Sequence, residues 1–191
     1  MRKITLLLSL LLLTAPAWAL SKTTAPSKMT LNNEKQLMEA IEMGNLKLSE
    51  KLIADPAAKL NFQGHQKLTP LMMAVAFERE SLVDLLIQKK VDLELKNEAG
   101  DTALAMAVGN EKNSIAKKLI AAGAKVDVSC GELDNTLLMC AAQTNNLDIA
   151  KEILKKAPKE VSKKNNKGQT AADLAKEYGN KDILKVLKLA K

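Results

Sequence analysis

Apolar residues in the central part of the chain recur at helical spacing in short blocks, and each block ends in a polar segment. Within residues 69–101, a first apolar stripe covers 71–74 and a second covers 82–87, with a polar break at 78–81 between them. A polar run at 97–101 then follows, with turn chemistry and no helical period. The pattern predicts two short antiparallel helices and a projecting loop, which cannot bury their apolar faces without neighbours.

The same pattern restarts along the chain at intervals of 33 or 34 residues. A threonine opens each copy, at Thr69, Thr102, Thr136 and Thr170. Five residues later there is always an alanine, at Ala74, Ala107, Ala141 and Ala175, and thirteen residues later a branched aliphatic residue, at Leu82, Ile115, Ile149 and Ile183. Counting back from Thr69 places a degenerate first copy at Lys35. Five stacked copies would bury one continuous apolar seam.

The period, the Thr69-Pro70-Leu71 opening, the run at 121–127 and the Asn-x-x-Gly before the next threonine resemble the ankyrin-repeat family. The resemblance implies an all-α solenoid of about five helix-turn-helix repeats with projecting loops. It places the domain at 31–191, with repeats at about 35–68, 69–101, 102–135, 136–169 and 170–191. The histidine that the family carries three residues after the threonine is replaced by Met72, Ala105, Met139 and Asp173, so its hydrogen bonds between repeats are not expected here.

The N-terminus has the features of a secretory signal peptide at 1–19. A basic start at Met1–Lys3 precedes a mostly apolar run of ten residues at 4–13, and Ala17-Trp18-Ala19 is a small-x-small cleavage site. The apolar run is too short to span a membrane, although an uncut N-terminal anchor is the alternative. Residues 20–30 are predicted to be a flexible leader. The signal favours export to a periplasm.

The charge of the chain is concentrated at its C-terminal end. The net charge is +7, and residues 150–191 contain 12 lysines against 5 acidic residues. No arginine forks or interleaved aromatic residues accompany the lysines, so the pattern does not favour a nucleic-acid partner. Two interpretations stay open: a polar cap that keeps the solenoid soluble, or a weak attraction for an anionic surface or an acidic partner.

The sequence contains no recognisable catalytic motif, and we predict that the protein is not an enzyme and carries no cofactor or metal. The single histidine, His65, lies in a predicted loop, and one histidine with two cysteines falls short of a zinc site. Cys140 occupies a core position of its repeat, which favours a buried free thiol. A disulfide with Cys130, which would attach a loop to its own helix, is the alternative.

The resemblance implies that the protein binds another protein through a concave face made by the loops and the first helix of each repeat. Leu68, Phe77 and Leu133 are large apolar residues at these outward positions, as expected for an interface core. Alternatively, Phe77 folds back on its own repeat. The candidate contact residues are His65, Gln66, Leu68, Ala76, Phe77, Glu98, Asp101, Asn110, Glu132, Leu133, Asn135, Gln143, Thr144 and Tyr178.

The chain is also similar in plan to the periplasmic ankyrin proteins that predatory bacteria use for self-protection against their own wall endopeptidases. That resemblance implies a monomeric periplasmic protein that binds and inhibits a partner enzyme, with a peptidoglycan hydrolase as the expected target. The alternative is a scaffold or adaptor that binds without inhibiting, including a partner of oxidative-stress enzymes. We expect neither nucleic-acid binding nor stable insertion into a membrane.

Overall fold

The computed structural model describes residues 28–131 and 133–190, with side chains from Asn33 onward. The predicted signal peptide and most of the predicted leader lie outside these residues. Ten α-helices in the described part form five antiparallel pairs, stacked in chain order. They are α1 (Lys28–Glu42), α2 (Leu46–Ala54), α3 (Pro70–Ala76), α4 (Glu80–Gln88), α5 (Ala103–Gly109), α6 (Asn113–Ala121), α7 (Leu137–Gln143), α8 (Leu147–Lys156), α9 (Ala171–Glu177) and α10 (Lys181–Leu189).

The repeated threonines cap the first helix of each pair. The hydroxyl oxygens of Thr69, Thr102, Thr136 and Thr170 each accept a hydrogen bond from the backbone N–H three residues later. Each hydroxyl thereby satisfies a donor that the first helical turn leaves free. Pro70 also suits this first turn because its fixed φ is helical.

The first repeat departs from the predicted boundaries. Helix α1 begins at Lys28, inside the segment predicted to be a leader and seven residues before Lys35. The repeat has no threonine cap near Lys35 that would start the helix there, and Lys28, Met29 and Leu31 are good helix formers. The helix therefore extends toward the N-terminus.

The predicted core positions are buried. Ala74, Ala107, Ala141 and Ala175 are fully buried, and so are Leu82, Ile149 and Ile183, with Ile115 nearly so. The small alanines let successive first helices approach closely, while the branched residues fill the space between the helix layers. The all-α repeat fold is confirmed. None of the helices in the described part is long and apolar enough to cross a membrane.

Side chains at the start of α4, α6, α8 and α10 form hydrogen bonds between neighbouring repeats, in a chain that lacks the family's histidines. Arg79 donates to the carbonyls of Ile41 and Glu42, both at 3.3 Å. Asn180, at the equivalent position three repeats later, donates to the carbonyls of Ala142 and Gln143 at 2.7 and 3.0 Å. At the two intervening positions, Lys112 donates to Glu78 at 2.5 Å and Asn146 donates to Asn113.

A short hairpin interrupts the helices between the third and fourth repeats. Strands β1 (Ser129–Cys130) and β2 (Asn135–Thr136) pair antiparallel, and Cys130 is bonded to Cys140 with their Cα atoms 6.4 Å apart. The expectation of a free thiol at Cys140 is therefore wrong, although its buried position is confirmed. The reason is the hairpin, which folds Cys130 back over the first turns of α7.

Candidate protein-binding face

A groove of about 1180 Å³ opens between α1, α3 and the loop that joins the first two repeats. Its apolar lining comes from Met38, Phe62, Leu68, Met73 and Phe77. Phe77 caps the end of α3, where its N–H donates to the Met73 carbonyl at 3.0 Å, and 37% of its surface is exposed. The ring therefore faces the groove, and the alternative that it folds entirely into its own repeat is not what the structure shows.

The loop at 61–69 holds one wall of this groove in place. The Gln63 side chain donates to the carbonyls of Lys67 at 3.0 Å and Lys96 at 2.7 Å, so it joins the loop to the next repeat. The Gly64 N–H donates to the Leu68 carbonyl at 2.9 Å. A Cβ at Gly64 would lie 3.3 Å from the Met38 methyl group, so glycine permits the loop to approach α1 closely.

The rim of the groove is acidic. Glu34, Glu39 and Glu42 line it from α1 at helical spacing, together with Lys35 and the exposed His65. Lys35 forms an ion pair with Glu39 at 3.6 Å. Within the described residues, Glu34 and Glu42 take part in no ion pair, so the rim carries an excess of negative charge.

A smaller, more polar depression of about 390 Å³ lies further along the same face. The disulfide between Cys130 and Cys140 contributes to its lining, and the candidate residues Asp101, Asn110, Asn135, Gln143 and Thr144 surround it. Asp101 accepts a hydrogen bond from the Gly131 N–H at 3.0 Å, which anchors the hairpin to the preceding loop. Thr144 donates to the Cys140 carbonyl at 3.0 Å.

The structure brings most of the predicted contact residues together along one face, in three places. His65, Leu68, Ala76 and Phe77 line the groove, the set just described surrounds the depression, and Leu133 is 37% exposed on the hairpin turn. Gln66 and Glu98 are exposed on adjacent loops, joined by a 2.9 Å hydrogen bond from the Glu98 N–H to the Gln66 carbonyl. Tyr178 is 56% exposed at the end of α9.

One of the predicted contact residues, Asn135, has a different position. The Asn135 side chain is largely buried and accepts a hydrogen bond from Asn165 at 2.8 Å, so it joins two repeats at the edge of the depression and offers little surface to a partner. The reason is its place on β2, where the pairing with β1 turns it inward. The Glu132 side chain lies outside the described residues. That the remaining residues contact a partner stays a prediction.

Sequence reasoning missed nine of the thirteen residues that line the groove. Met38 and Phe62 belong to the degenerate first repeat, which lacks the opening threonine, and the family's contact positions were applied only from the second repeat onward. A signal was present nonetheless: Glu34, Met38 and Glu42 are spaced four residues apart, which places them on one side of a helix.

The ionisable groups with shifted pKa values lie on the outer helices or in the loop after α8, away from this face. Lys118 donates to Asp84 at 2.7 Å and to Glu80 at 3.1 Å, and these hydrogen bonds raise the pKa of Lys118. The hydrogen bonds that Glu80 accepts from Lys118 and Ser114 lower its pKa. In the part of the chain that the structure describes, no three His, Cys, Asp or Glu residues are grouped so that they could hold a metal ion.

Stacked helix pairs with a groove and a separate depression along one face define a repeat-built protein-interaction module. The family model for ankyrin repeats in three copies matches residues 37–130 and 110–190, and the chain belongs to the ankyrin-repeat family. Members of this family are typically interaction modules without enzymatic activity, and no catalytic family is indicated.

Several known proteins are similar to this chain. An ankyrin repeat protein of fowlpox virus is 29% identical over 134 residues, which are 67% of this chain and 39% of that protein. The neurogenic locus notch homolog protein 1 of Xenopus laevis is 31% identical over 126 residues, 65% of this chain and 5% of that protein. The chain thus spans well under half the length of these relatives.

The chain is also similar to a solved structure from a predatory bacterium. It is a chain from the predatory endopeptidase of Bdellovibrio bacteriovorus in complex with an immunity protein. The sequence identity is 37% and the TM-score is 0.65, and the match covers 82% of this chain and 98% of that one.

Proposed function

We propose that the protein is an exported inhibitor of a peptidoglycan hydrolase of the endopeptidase type, which protects the producing cell from its own enzyme. The observation that carries the proposal is the likeness to a chain of the Bdellovibrio complex, at 37% identity over 98% of that chain. An all-helical repeat module corresponds, within such a complex, to the immunity protein and not to the endopeptidase.

The geometry supports inhibition by occlusion. The groove, the polar depression and the hairpin turn with Leu133 lie along one face of a rigid stack, so they can be engaged together without a conformational change. Exposed apolar side chains at the centre with polar residues around them form the usual composition of an interface. A preorganised face of this kind loses little conformational entropy when it covers the entrance of an active site.

Export is part of the proposal and rests on the sequence alone. The basic start, the apolar run at 4–13 and the cleavage site at 17–19 are the features that support it. In a periplasm the inhibitor and a wall-cutting enzyme would meet before the enzyme reached the producer's own wall.

The test is an inhibition titration with the exported peptidoglycan endopeptidases encoded in the same genome. Each purified enzyme digests isolated peptidoglycan, and the release of cross-linked fragments is followed with increasing amounts of the ankyrin protein. We expect turnover of one enzyme to fall to near zero at about equimolar inhibitor. Deleting the inhibitor's gene should then harm cells that make that enzyme.

Binding without a change in turnover would contradict the inhibitor proposal and leave the non-inhibitory scaffold. A matched control is available in Lys47→Met, because Lys47 is exposed on an outer helix away from the groove. This variant should inhibit as the unchanged protein does. Equal turnover with and without the protein, across all the endopeptidases tested, would also contradict the proposal.

A further inference from the structure

The groove between α1 and α3 combines two properties that define the chemistry of its occupant. Its floor is apolar, with two aromatic rings and two methionines among the lining residues. Its rim is acidic, in a chain whose net charge is +7. An acidic rim around an apolar floor is therefore a local feature of this site and does not follow from the composition of the whole protein.

The floor fits a large apolar side chain. Phe62 and Leu68 are half-buried and Phe77 is more exposed, so each offers apolar surface to an incoming group. Met38 and Met73 have flexible, polarizable side chains that adapt to an inserted ring and contact it favourably. Burial of an aromatic side chain removes a large apolar area from water, which makes such residues the common anchors of interfaces.

The rim fits a positive charge next to that anchor. Glu34 and Glu42 lie two helical turns apart on α1, on either side of Met38 along one face of the helix. Lys35 offsets only Glu39, with which it forms an ion pair. A lysine or arginine entering beside the anchor would meet two carboxylates that make no ion pair within the described residues.

We propose that the groove binds a partner segment that presents an aromatic or long aliphatic side chain next to a lysine or arginine. This inference rests on the proposed function in taking the groove as part of the interface, and it deepens that function by naming the chemistry of the partner. The apolar side chain inserts between Met38, Phe62 and Phe77, and the basic residue contacts Glu34 and Glu42.

The probe is a set of short peptides that differ in one residue: a central Trp preceded by Lys, by Gln or by Glu, and a Lys-Ala control. The chain has a single tryptophan, Trp18. Because Trp18 lies in the predicted signal peptide, the protein that begins at Leu20 has no tryptophan. The fluorescence of the peptide alone then reports its transfer into an apolar site.

We expect the Lys-Trp peptide to bind about three- to tenfold more tightly than the Gln-Trp peptide, and the Glu-Trp peptide to bind most weakly. The difference should shrink at high salt, because the rim is exposed to solvent. The Lys-Ala peptide, labelled with a dye, should not bind measurably. Equal affinity for the three Trp peptides would overturn the proposal.

Variants locate the site. The double variant Glu34→Gln with Glu42→Gln should abolish the preference for the Lys-Trp peptide, and Glu34→Lys with Glu42→Lys should reverse it. The matched control, Glu50→Gln with Glu111→Gln, removes two exposed carboxylates elsewhere and should retain the preference. If the control lost the preference as the groove variant does, the effect would come from net charge and the proposal would be wrong.

Two other occupants would also overturn it. If the groove holds the chain's own N-terminal segment, deleting residues 20–27 should raise peptide affinity several-fold. If it holds a second copy, sedimentation should show a concentration-dependent dimer that the Lys-Trp peptide dissociates. The proposal requires a monomer and unchanged affinity after the deletion.

Inhibition assays separate this inference from the proposed function. If the charge-reversed variant still inhibits the endopeptidase at an equimolar ratio, the inhibitor proposal stands and the groove proposal fails. If the unchanged protein binds the peptides as expected but inhibits no endopeptidase, the groove proposal stands and the inhibitor proposal fails.

Discussion

Arg79 connects the first two repeats through backbone groups. Its guanidinium donates to two carbonyls at the C-terminal end of α1, which have no partners within that helix. A guanidinium can serve both acceptors at once because its donors form a planar fork. The side chain therefore holds α1, and with it one wall of the groove, against the second repeat.

We predict that Arg79→Ala lowers the free energy of unfolding by about 1–3 kcal/mol, since the part-buried Ile41 carbonyl and the exposed Glu42 carbonyl lose a charged donor. Urea unfolding followed by circular dichroism measures the change. Arg79→Lys should recover part of the loss because one ammonium group cannot occupy both positions. Identical urea midpoints for Arg79→Ala and the unchanged protein would contradict this role.

Phe77 and Leu86 belong to the same repeat, but Phe77 lies on its surface and Leu86 in its core. Leu86 is fully buried, so Leu86→Ala should cost about 2–5 kcal/mol of stability through the cavity it leaves. Phe77 keeps part of its surface in solvent, and Phe77→Ala should cost far less stability, while it weakens partner binding by about thirtyfold. Thermal unfolding and titration with the partner, carried out on both variants, test these two expectations. Unfolding caused by Phe77→Ala would assign the ring to the core.

The disulfide holds one structural element in place, because it fixes the hairpin at 129–136 to α7. Cys130 and Cys140 are ten positions apart in the sequence, so the bond closes a short loop. By the chain-entropy estimate for a loop of this length, the bond contributes about 2–3 kcal/mol to stability. It also positions Leu133 on the hairpin turn.

We predict that Cys130→Ser with Cys140→Ser lowers stability by about that amount and weakens partner binding through the loosened hairpin. Unfolding curves with and without a reductant provide the measurement and an internal control. The reductant should destabilise the unchanged protein and leave the double serine variant unaffected. A reductant effect of equal size on both proteins would rule out the disulfide as the cause.

The ion pairs between α4 and α6 stabilise the stacking of the outer helices. The pKa of Glu80 is lowered, chiefly by the hydrogen bond from Lys118. The ionised Glu80 therefore stabilises the fold fully at a pH above 4.5, the ordinary pKa of a glutamate. This stabilisation is lost as the pH falls through the lowered pKa of Glu80. The pKa of Lys118 is raised, so its effect on stability appears at the alkaline end of the pH range. The charged Lys118 stabilises the fold fully at a pH below 10.5, the ordinary pKa of a lysine, and this stabilisation is lost as the pH rises through the raised pKa.

We therefore predict that Lys118→Met lowers stability at pH 7 by no more than about 1 kcal/mol, the range of exposed ion pairs. The difference from the unchanged protein should shrink as the pH is lowered toward 3. Urea midpoints across this pH range measure it, with Lys47→Met as the exposed control. A difference that stays constant down to pH 3 would show that the lost packing of the lysine stem, and not its charge, is responsible.

The helices could be predicted from the sequence because the threonine caps and the buried alanines are local signals with a fixed period. The hairpin could not be predicted, since its two-residue strands carry no period and depend on the pairing of Cys130 with Asn135. For the same reason the position of Asn135 differed from the family expectation. The acidic rim was missed because it lies on α1, in the degenerate first repeat, and the family's contact positions were applied only from the second repeat onward.

At the scale of the whole molecule, the stack is one-dimensional, so each repeat is stabilised only by its neighbours. Helices α5 and α7 have repeats on both sides, whereas α1 and α10 belong to the two ends. Helix α10 covers one side of α8 and α9 and presents lysines outward, which agrees with the interpretation of the last repeat as a polar cap.

We predict that amide hydrogen exchange is slowest in α5 and α7 and fastest in α1 and α10, because the end repeats open without unfolding the middle. Mass spectrometry of peptide fragments measures the order. Binding of the Lys-Trp peptide should slow exchange in α1 specifically. Uniform exchange rates along the array would mean that all five repeats unfold as one unit.

The connections at the start of each second helix are chemically different at every junction: a guanidinium on carbonyls, an ammonium on a carboxylate, an amide on an amide, and an amide on carbonyls. The repeats share a backbone plan, and the two junctions made to backbone carbonyls need no particular side chain on the neighbouring repeat. The other two do, because Lys112 needs Glu78 and Asn146 needs Asn113. The order of the central repeats is therefore constrained by side-chain pairs, whereas a repeat added or lost at a carbonyl junction would leave the hydrogen bonds of that junction intact.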